Sequence, residues 1–294
     1  LFDTLRDNSR IIVYIVVIVF VISGGFMGFG AYLNSRGGGQ SSNQRSSVIA
    51  EVNGMEISQQ EYLNLLQQQA PQSNLNSSQI TPFRYNILNA LIERKLILSQ
   101  AEELGVEVEV SDSEVDENYN NILEQNDMTD EELANNLAEQ GYTIGELRED
   151  IRANLKTNKK ITETIDQGIG EISVSDQEIK ESYEEKYASD SEQSSAENSD
   201  SESKPALSEV EEDLRTELKN QKRNQARNKW LNDLKDSADI TINNPVLSAY
   251  HDLENENYDQ AAEKFSSLVE QEQSDPIFYS YLAQAYEGQN NYDK

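Results

Sequence analysis

The feature that most constrains this chain is a run of 23 residues near its start that contains no charged side chain. The run is IIVYIVVIVFVISGGFMGFGAYL, residues 11–33. As an α-helix it would be about 34 Å long, enough to cross a hydrocarbon core of roughly 30 Å. A cleaved signal peptide has a shorter apolar core and a small-residue cleavage site, which the following NSRGGGQSSNQRSS does not offer. We therefore predict a transmembrane anchor at 11–33, preceded by a short N-terminal segment, 1–10, and followed by a flexible linker, 34–47.

The charges beside this apolar run do not decide its orientation in a membrane. Arg6 and Arg10 precede the run, and Arg36 and Arg45 follow it. Orientation generally follows an excess of basic residues on the cytoplasmic side, and here the two flanks carry equal numbers. The residues alone therefore leave the topology open.

The whole chain is strongly acidic, with a formal net charge of −30 over 294 residues. A field of this sign repels phosphate backbones, so we expect no nucleic-acid partner. Two explanations of the acidity stay open: an ordinary well-solvated surface, or a surface adapted to high salt.

The residue types that usually carry catalysis and metal binding are scarce. The chain has no cysteine and one histidine, His251, which we expect at the surface. Disulfides, thiolate metal sites and cysteine nucleophiles are excluded. We predict no catalytic residue, no metal site and no cofactor.

The segment that follows the linker predicts a β-hairpin and then a helix. In VIAEVNGMEISQQEYLNLL, residues 48–66, two short strands flank Asn53-Gly54, a strong hairpin-turn signal. A helix is expected from Ser58, because Ser58 and Glu61 match a capping box, in which two side chains satisfy free N–H groups. Five further pairs match the same pattern: Ser111 with Glu114, Thr129 with Glu132, Thr143 with Glu146, Ser175 with Glu178, and Ser208 with Glu211.

These caps, placed at helix-length intervals, predict a mostly α fold. Thr81-Pro82 predicts the start of another helix, which we expect to stop at Gly105. Further helices are expected at about 112–126, 130–140, 143–166 and 176–187.

The helical pattern is interrupted by a serine-rich acidic tract, 188–205, which we expect to be a disordered linker. A long helix is expected from 207 on, acidic in its first turns and basic further along. We interpret the basic residues as a solvated helix face rather than an anion site: Lys219, Lys222, Arg223, Arg227 and Lys229.

Two similar motifs near the end of the sequence suggest an internal repeat. ENENYDQ and GQNNYDK place Tyr258 and Tyr292 34 residues apart, the period of tetratricopeptide repeats. We predict α-α tetratricopeptide repeats at 243–294, truncated within the second repeat, so that the chain is a fragment of a longer protein. Their expected packing residues are Tyr258, Ala261, Phe265, Tyr279, Leu282, Ala283 and Tyr286.

Several stretches, taken in order, resemble the N-terminal chaperone region of the SurA/PpiD/PrsA group of bacterial extracytoplasmic folding factors. They are VIAEVNGMEISQQEY, LIERKLILSQAEELGVEVEVSDSEVDE, ELREDIRANLKTNKKI and ISVSDQEIKESYEEKY, within 48–187. ALSEVEEDLRTELKNQKRNQARNKWLNDLKDSADITI, in 206–242, resembles the helix and strand that complete this module. The parvulin prolyl isomerase domain that usually separates the two parts is replaced here by the acidic tract.

The resemblance implies a SurA-like helical chaperone module without its own isomerase. It also implies a single-pass protein of the bacterial cytoplasmic membrane, with the N-terminus inside and most of the chain extracytoplasmic. The resemblance implies that the partners are unfolded client polypeptides and the secretion translocon. The repeats imply a further protein partner. Candidate client contacts are Tyr62, Phe83, Tyr85, Met128 and Tyr142.

Two other functions compete with this holdase hypothesis. In the first, the chain is a membrane-tethered scaffold whose repeats bind a protein partner and whose SurA-like module is a spacer. In the second, it is a peptidyl-prolyl isomerase, as members of the family often are.

Overall fold

The computed structural model describes residues 48–69, 75–139, 141–188, 205–271 and 275–289. These residues are mostly helical and include one small sheet, in agreement with the mostly α prediction. The strands are β1 (Val48–Val52), β2 (Met55–Ser58) and β3 (Ile240–Ile242). The helices are α1 (Gln59–Gln69), α2 (Ser77–Glu103), α3 (Asp112–Gln125), α4 (Asp130–Glu139), α5 (Ile144–Ile169), α6 (Asp176–Ala188), α7 (Leu207–Ser237), α8 (Pro245–Glu254), α9 (Tyr258–Val269) and α10 (Ile277–Gly288).

Within these described ranges, no helix is both long enough and apolar enough to span a membrane. The predicted anchor at 11–33 lies outside the described residues. So do 189–204 of the predicted acidic linker, and Tyr292 of the predicted repeat.

The hairpin prediction is confirmed. β1 pairs antiparallel with β2, and the turn residues Asn53 and Gly54 have φ angles of 49° and 80°. A two-residue turn with both central residues in the left-handed region matches the twist of the flanking strands, which explains the Asn-Gly sequence.

The third strand comes from a distant part of the chain. β3 pairs antiparallel with the other edge of β1, which gives the sheet order β2-β1-β3. Asn53 fixes the start of β3, because its backbone N–H donates to the carbonyl of Asp239 at 2.9 Å and its Oδ1 accepts the Asp239 N–H at 2.9 Å. Asn243 fixes the end, since its backbone N–H donates to Ile49 O and its Nδ2 to Val48 O, each at 2.8 Å.

Five of the six predicted caps are present. At Ser58 the hydroxyl accepts the Glu61 N–H at 3.1 Å. Complete capping boxes occur at Ser111, Thr129, Thr143 and Ser175. The sixth prediction, Ser208 with Glu211, is wrong. Helix α7 begins at Leu207, because the carboxylate of Glu209 instead accepts the Ala206 N–H at 2.9 Å.

The predicted start of α2 at Thr81-Pro82 is also wrong. The helix begins at Ser77, where Asn76 and Gln79 form a reciprocal capping box with both distances 3.1 Å. Pro82 therefore lies inside the helix. The predicted stop is confirmed, because Gly105 has φ of 64° and the Val106 N–H returns to the carbonyl of Ala101 at 2.9 Å.

The described residues form two compact units. The first combines the residues up to Ile161 with those from Ala238 onward, and the second contains Thr162–Ser237. One boundary falls inside α5, and the other falls between α7 and β3.

Within the first unit, α3, α4 and the first half of α5 enclose one core. Its buried residues are Val115, Tyr119, Ile122, Leu133, Leu137, Tyr142 and Ile151. Met128 packs against this cluster and is only partly buried. The guanidinium of Arg148 lies over the Tyr119 ring, 4.7 Å from the ring centroid. This cation–π contact adds to the packing of the core.

Ion pairs are prominent in the second unit, where α6 packs on α7. Lys222 Nζ lies 2.5 Å from Glu178, and Lys186 Nζ lies 2.7 Å from Glu217. Arg223 pairs with Asp166. The basic cluster on α7 is therefore partly neutralised by neighbouring carboxylates, whereas the sequence suggested only a solvated face.

The last three helices pack in succession, α8 on α9 and α9 on α10. The predicted packing residues Ala261 and Phe265 of α9 are fully buried. Tyr258 is half-buried, and its ring lies against Gly288, where an added Cβ would be 2.4 Å from the ring.

Two of the four predicted packing residues of α10 are partly buried, and the fully buried residues of this helix are two others. Tyr281 and Ala285 are buried, and the Tyr281 ring centroid lies 5.3 Å from that of Phe265. Of the predicted residues, Leu282 and Tyr286 are half-buried, whereas Tyr279 and Ala283 are exposed. The tetratricopeptide assignment stays a prediction.

We predict that Gly168→Ala destabilises the second unit by about 1–3 kcal/mol, because the new methyl group overpacks a rigid ring. An added Cβ would lie 2.4 Å from Cε2 of Trp230, the only tryptophan of the chain. Denaturant unfolding followed by Trp230 fluorescence measures the effect. Gly145→Ala, on the same helix but in the first unit, is the control for an added methyl group without a clash, because the nearest atom to its new Cβ is 3.8 Å away, and its unfolding is followed by circular dichroism. Equal midpoints for the two variants would contradict the packing described.

We also predict that Glu114→Gln reduces the loss of stability in acid. The hydrogen bond from Lys159, followed by those from Ser111, lowers the pKa of Glu114 from 4.5 to about 2. The stabilisation from this carboxylate is therefore complete above about pH 4.5 and is lost as the pH falls through about 2. Unfolding midpoints measured across this range should vary less in Glu114→Gln than in the control Glu117→Gln, an exposed residue of the same helix. Identical pH profiles would argue against the Glu114–Lys159 contact.

Candidate functional site

An open groove in the first unit is the strongest candidate for a functional site. It has a volume of about 570 Å³ and lies between the start of β1, helix α1, the first turns of α2, the segment that joins β3 to α8, and the start of α10. Its lining is Val48, Ile49, Gln59, Tyr62, Leu63, Leu66, Ser77, Ile80, Thr81, Arg84, Asn243, Asn244, Pro245, Val246, Leu247, Asp275 and Phe278.

The groove presents apolar side chains to solvent. Four large apolar side chains are clearly exposed among the described residues, and two of them, Leu63 and Ile80, line the groove with exposed fractions of 38% and 37%. The other two, Leu104 and Tyr279, lie outside it. Covering the exposed parts of Leu63 and Ile80 would gain about 0.5–1 kcal/mol for each residue. The groove is therefore suited to bind another apolar surface.

Buried residues hold the inner surface of the groove in place. Tyr62 is 5% exposed, and its hydroxyl donates to the carbonyl of Arg84 at 3.4 Å. Burial raises the pKa of Tyr62, so its phenol stays neutral. Thr81 is also buried, at 6% exposed. These contacts tie α1 to the first turns of α2.

The polar residues on the opposite side already have partners within the fold. Asn243 Nδ2 donates to the carbonyl of Val48, and Asn244 Oδ1 accepts the Leu247 N–H at 3.0 Å, which caps α8. These asparagines therefore fix the wall of the groove. Among the described lining residues, Arg84 and Asp275 are the charged ones, with opposite signs.

An aromatic cluster joins α2 to the last three helices. The ring centroids of Tyr85 and Tyr250 lie 5.3 Å apart, and those of Tyr250 and Tyr281 lie 5.2 Å apart, both edge to face. The hydroxyl of Tyr85 lies 3.0 Å from Nδ1 of His251. Burial raises the pKa of Tyr85 to about 12, which keeps the hydroxyl protonated for this contact. His251 is half-buried here and so only partly at the surface.

The five predicted client contacts do not come together at one place. Tyr62 lines the groove, whereas Tyr85 belongs to the aromatic cluster. Tyr142 and Met128 belong to the core of α3–α5, and Tyr142 donates from its hydroxyl to Asp150. Phe83 is half-buried on α2 and does not line the groove. Their role in client binding stays a prediction.

Of the groove residues, the sequence pointed only to Tyr62, and it did not indicate Leu63, Ile80 or Phe278. Leu63 follows Tyr62 in YLNLL, and this density of apolar residues exceeds what one buried helix face needs. Ile80 was overlooked because α2 was expected to begin after it. Nothing in the local sequence links Phe278 to α1, because the fold alone brings these segments together.

No cluster of three His, Cys, Asp or Glu side chains that could hold a metal ion occurs within the part of the chain that the structure describes.

Two comparisons with known proteins bear on this site. Residues 1–161, more than half of the chain, match the family model described as the SurA-like N-terminal domain. The chain is also similar to the Chaperone SurA of Saccharophagus degradans, with 37% identity over 93 residues. That alignment covers 32% of this chain and 20% of the relative, so the chain spans about a fifth of the length of this curated relative. The resemblance seen in the sequence is thus confirmed, and the chain belongs to the family of proteins with a SurA-like N-terminal domain.

Proposed function

We propose that this protein is a holdase-type chaperone that binds unfolded secreted or envelope polypeptides in the groove between α1, α2, α8 and α10. The family membership supports a chaperone-type role. The single observation that carries the proposal is the solvent exposure of Leu63 and Ile80 within an open apolar groove.

The proposal also includes a membrane anchor and an extracytoplasmic location. Its support is the uncharged run at 11–33 and the resemblance to anchored folding factors. The acidic surface would keep such a protein from self-association, since molecules with a large net charge of the same sign repel one another. In the same proposal the chain acts without its own isomerase; the support is the acidic tract 188–205, which takes the place of the parvulin domain that the resemblance leads us to expect there.

A second candidate function is a scaffold that binds a protein partner through the helices from α8 onward. The observation in its favour is that Tyr279 and Ala283, on one stripe of α10, are exposed, with Tyr279 exposed at 58%. Peptide binding in the groove separates the two functions, since a scaffold of this kind does not need Leu63 or Ile80.

We predict that the full 294-residue chain, held in lipid nanodiscs through its proposed anchor, suppresses aggregation of a chemically denatured enzyme diluted into buffer, as measured by light scattering against empty nanodiscs. The double variant Leu63→Ser, Ile80→Ser should require about tenfold more protein for the same suppression, because it removes roughly 1–2 kcal/mol of apolar contact.

The matched control is Leu104→Ser, which removes a side chain that is 47% exposed outside the groove. It should suppress aggregation as well as the unmodified chain. Circular dichroism checks that all three proteins keep their helical content. An unmodified chain that does not slow aggregation would refute the chaperone proposal, and equal loss in both variants would refute the assignment of the groove.

A further inference from the structure

The groove is built from two parts of the chain that are far apart in sequence. One wall carries Leu63 of α1 and Ile80 of α2, both within the region that matches the family model. A second wall carries Pro245, Val246 and Phe278, which lie beyond that region. The SurA-like domain by itself therefore supplies only part of the lining.

We propose that the groove is a composite site in which Phe278 and Val246 contact the bound polypeptide together with Leu63 and Ile80, and that its occupant is an extended apolar segment bordered by Lys or Arg residues. This inference rests on the proposed chaperone function and names the class of segment that the site prefers.

Phe278 is suited to a double role. Its ring centroid lies 6.3 Å from that of Phe265, which is fully buried in α9, and Phe278 itself is half-buried and lines the groove. The side chain is therefore held by the helical core on one side and offers apolar surface to the groove on the other. Its neighbour Tyr279 is more exposed but does not line the groove.

The size of the groove fits a short stretch of polypeptide. Its volume of about 570 Å³ is within the range of roughly 300–1,000 Å³ that is usual for small-ligand pockets. Because the groove is open, an extended chain can place a few apolar side chains in it while its ends continue over the surface.

Charge complementarity favours basic residues on both sides of the bound apolar segment. The groove lining is close to neutral, because Arg84 and Asp275 are its charged members among the described residues. The chain as a whole carries −30 charges, a field that attracts cationic segments and repels acidic ones during encounter. A segment with an apolar centre and basic ends thus matches both the nearly neutral groove and the net negative charge of the chain.

Because the groove is composite, deleting the last helices cannot distinguish the two candidate functions. Deletion of 243–294 would remove the wall formed by Val246 and Phe278. Loss of client binding after this deletion would therefore fit a chaperone as well as a scaffold. Single substitutions in each wall are the sharper test.

The experiment measures binding of a labelled peptide to the full chain by fluorescence anisotropy. The probe has a central Leu-Phe-Leu sequence with lysines at both ends, and a second peptide carries glutamates in place of the lysines. Phe278→Ala should weaken binding of the lysine peptide by about tenfold. Tyr279→Ala, the adjacent aromatic residue, should leave the affinity unchanged, and Phe278→Leu should restore most of it.

The charge preference has its own readout. The lysine peptide should bind more tightly than the glutamate peptide at low salt, and the difference should shrink as salt screens the field. Thermal unfolding followed by circular dichroism shows whether Phe278→Ala remains folded at the assay temperature. If it does not, Val246→Ser decides, because Val246 is half-buried and lines the same wall, and the proposal then requires this variant to bind the lysine peptide several-fold more weakly than Tyr279→Ala does.

The outcomes separate this inference from the function on which it rests. If the unmodified chain suppresses aggregation but the substitutions at 278 and 279 act alike, the composite site is wrong and the chaperone function stands. If the glutamate peptide binds as tightly as the lysine peptide, the choice of occupant is wrong. If the unmodified chain neither binds peptide nor suppresses aggregation, both proposals fail.

Discussion

The pairing of β3 with β1 is the contact on which the candidate site depends. It joins residues that are separated by most of the described chain, and Asn53 and Asn243 anchor its two ends through hydrogen bonds of 2.8–2.9 Å. Because α8 begins at Pro245, directly after this strand, the pairing determines where the last three helices start. The second wall of the groove follows from that position.

The aromatic cluster fixes the direction of these helices. Tyr85 of α2 contacts Tyr250 and His251 of α8, and Tyr250 contacts Tyr281 of α10. Edge-to-face ring pairs of this kind add about 0.5–1.5 kcal/mol each beyond the area they bury. The sheet and the cluster together bring Phe278 and Leu63 into the lining of one groove, which leaves apolar side chains open to solvent in an otherwise acidic protein.

Local signals in the sequence predicted much of the fold. Asn53-Gly54 predicted the hairpin, and five capping pairs predicted helix starts, because these interactions involve residues within three positions of one another. The start of α2 was missed because Asn76 and Gln79 form an equivalent cap that the Ser/Thr pattern does not include. Thr81-Pro82 was the more visible but misleading signal.

The candidate site was less predictable because it is made by contacts between distant segments. Tyr62 was identified, but Tyr85 and Tyr142, chosen for the same aromatic character, are buried in two other clusters. An aromatic residue near a helix start can serve a core or a binding surface, and only the tertiary arrangement distinguishes the two roles. The position of Phe278 in the groove depends on the β1–β3 pairing, which local sequence does not reveal.

The proposed function requires that unfolded polypeptide binds in this groove. Site-specific photo-crosslinking tests it most directly, with a photoreactive phenylalanine analogue in place of Leu63 and, in a separate protein, in place of Leu104. Both positions are exposed, and only Leu63 lines the groove. The account predicts strong adducts with a denatured polypeptide at position 63 and few at position 104. Equal yields at the two positions, or adducts only at 104, would contradict it.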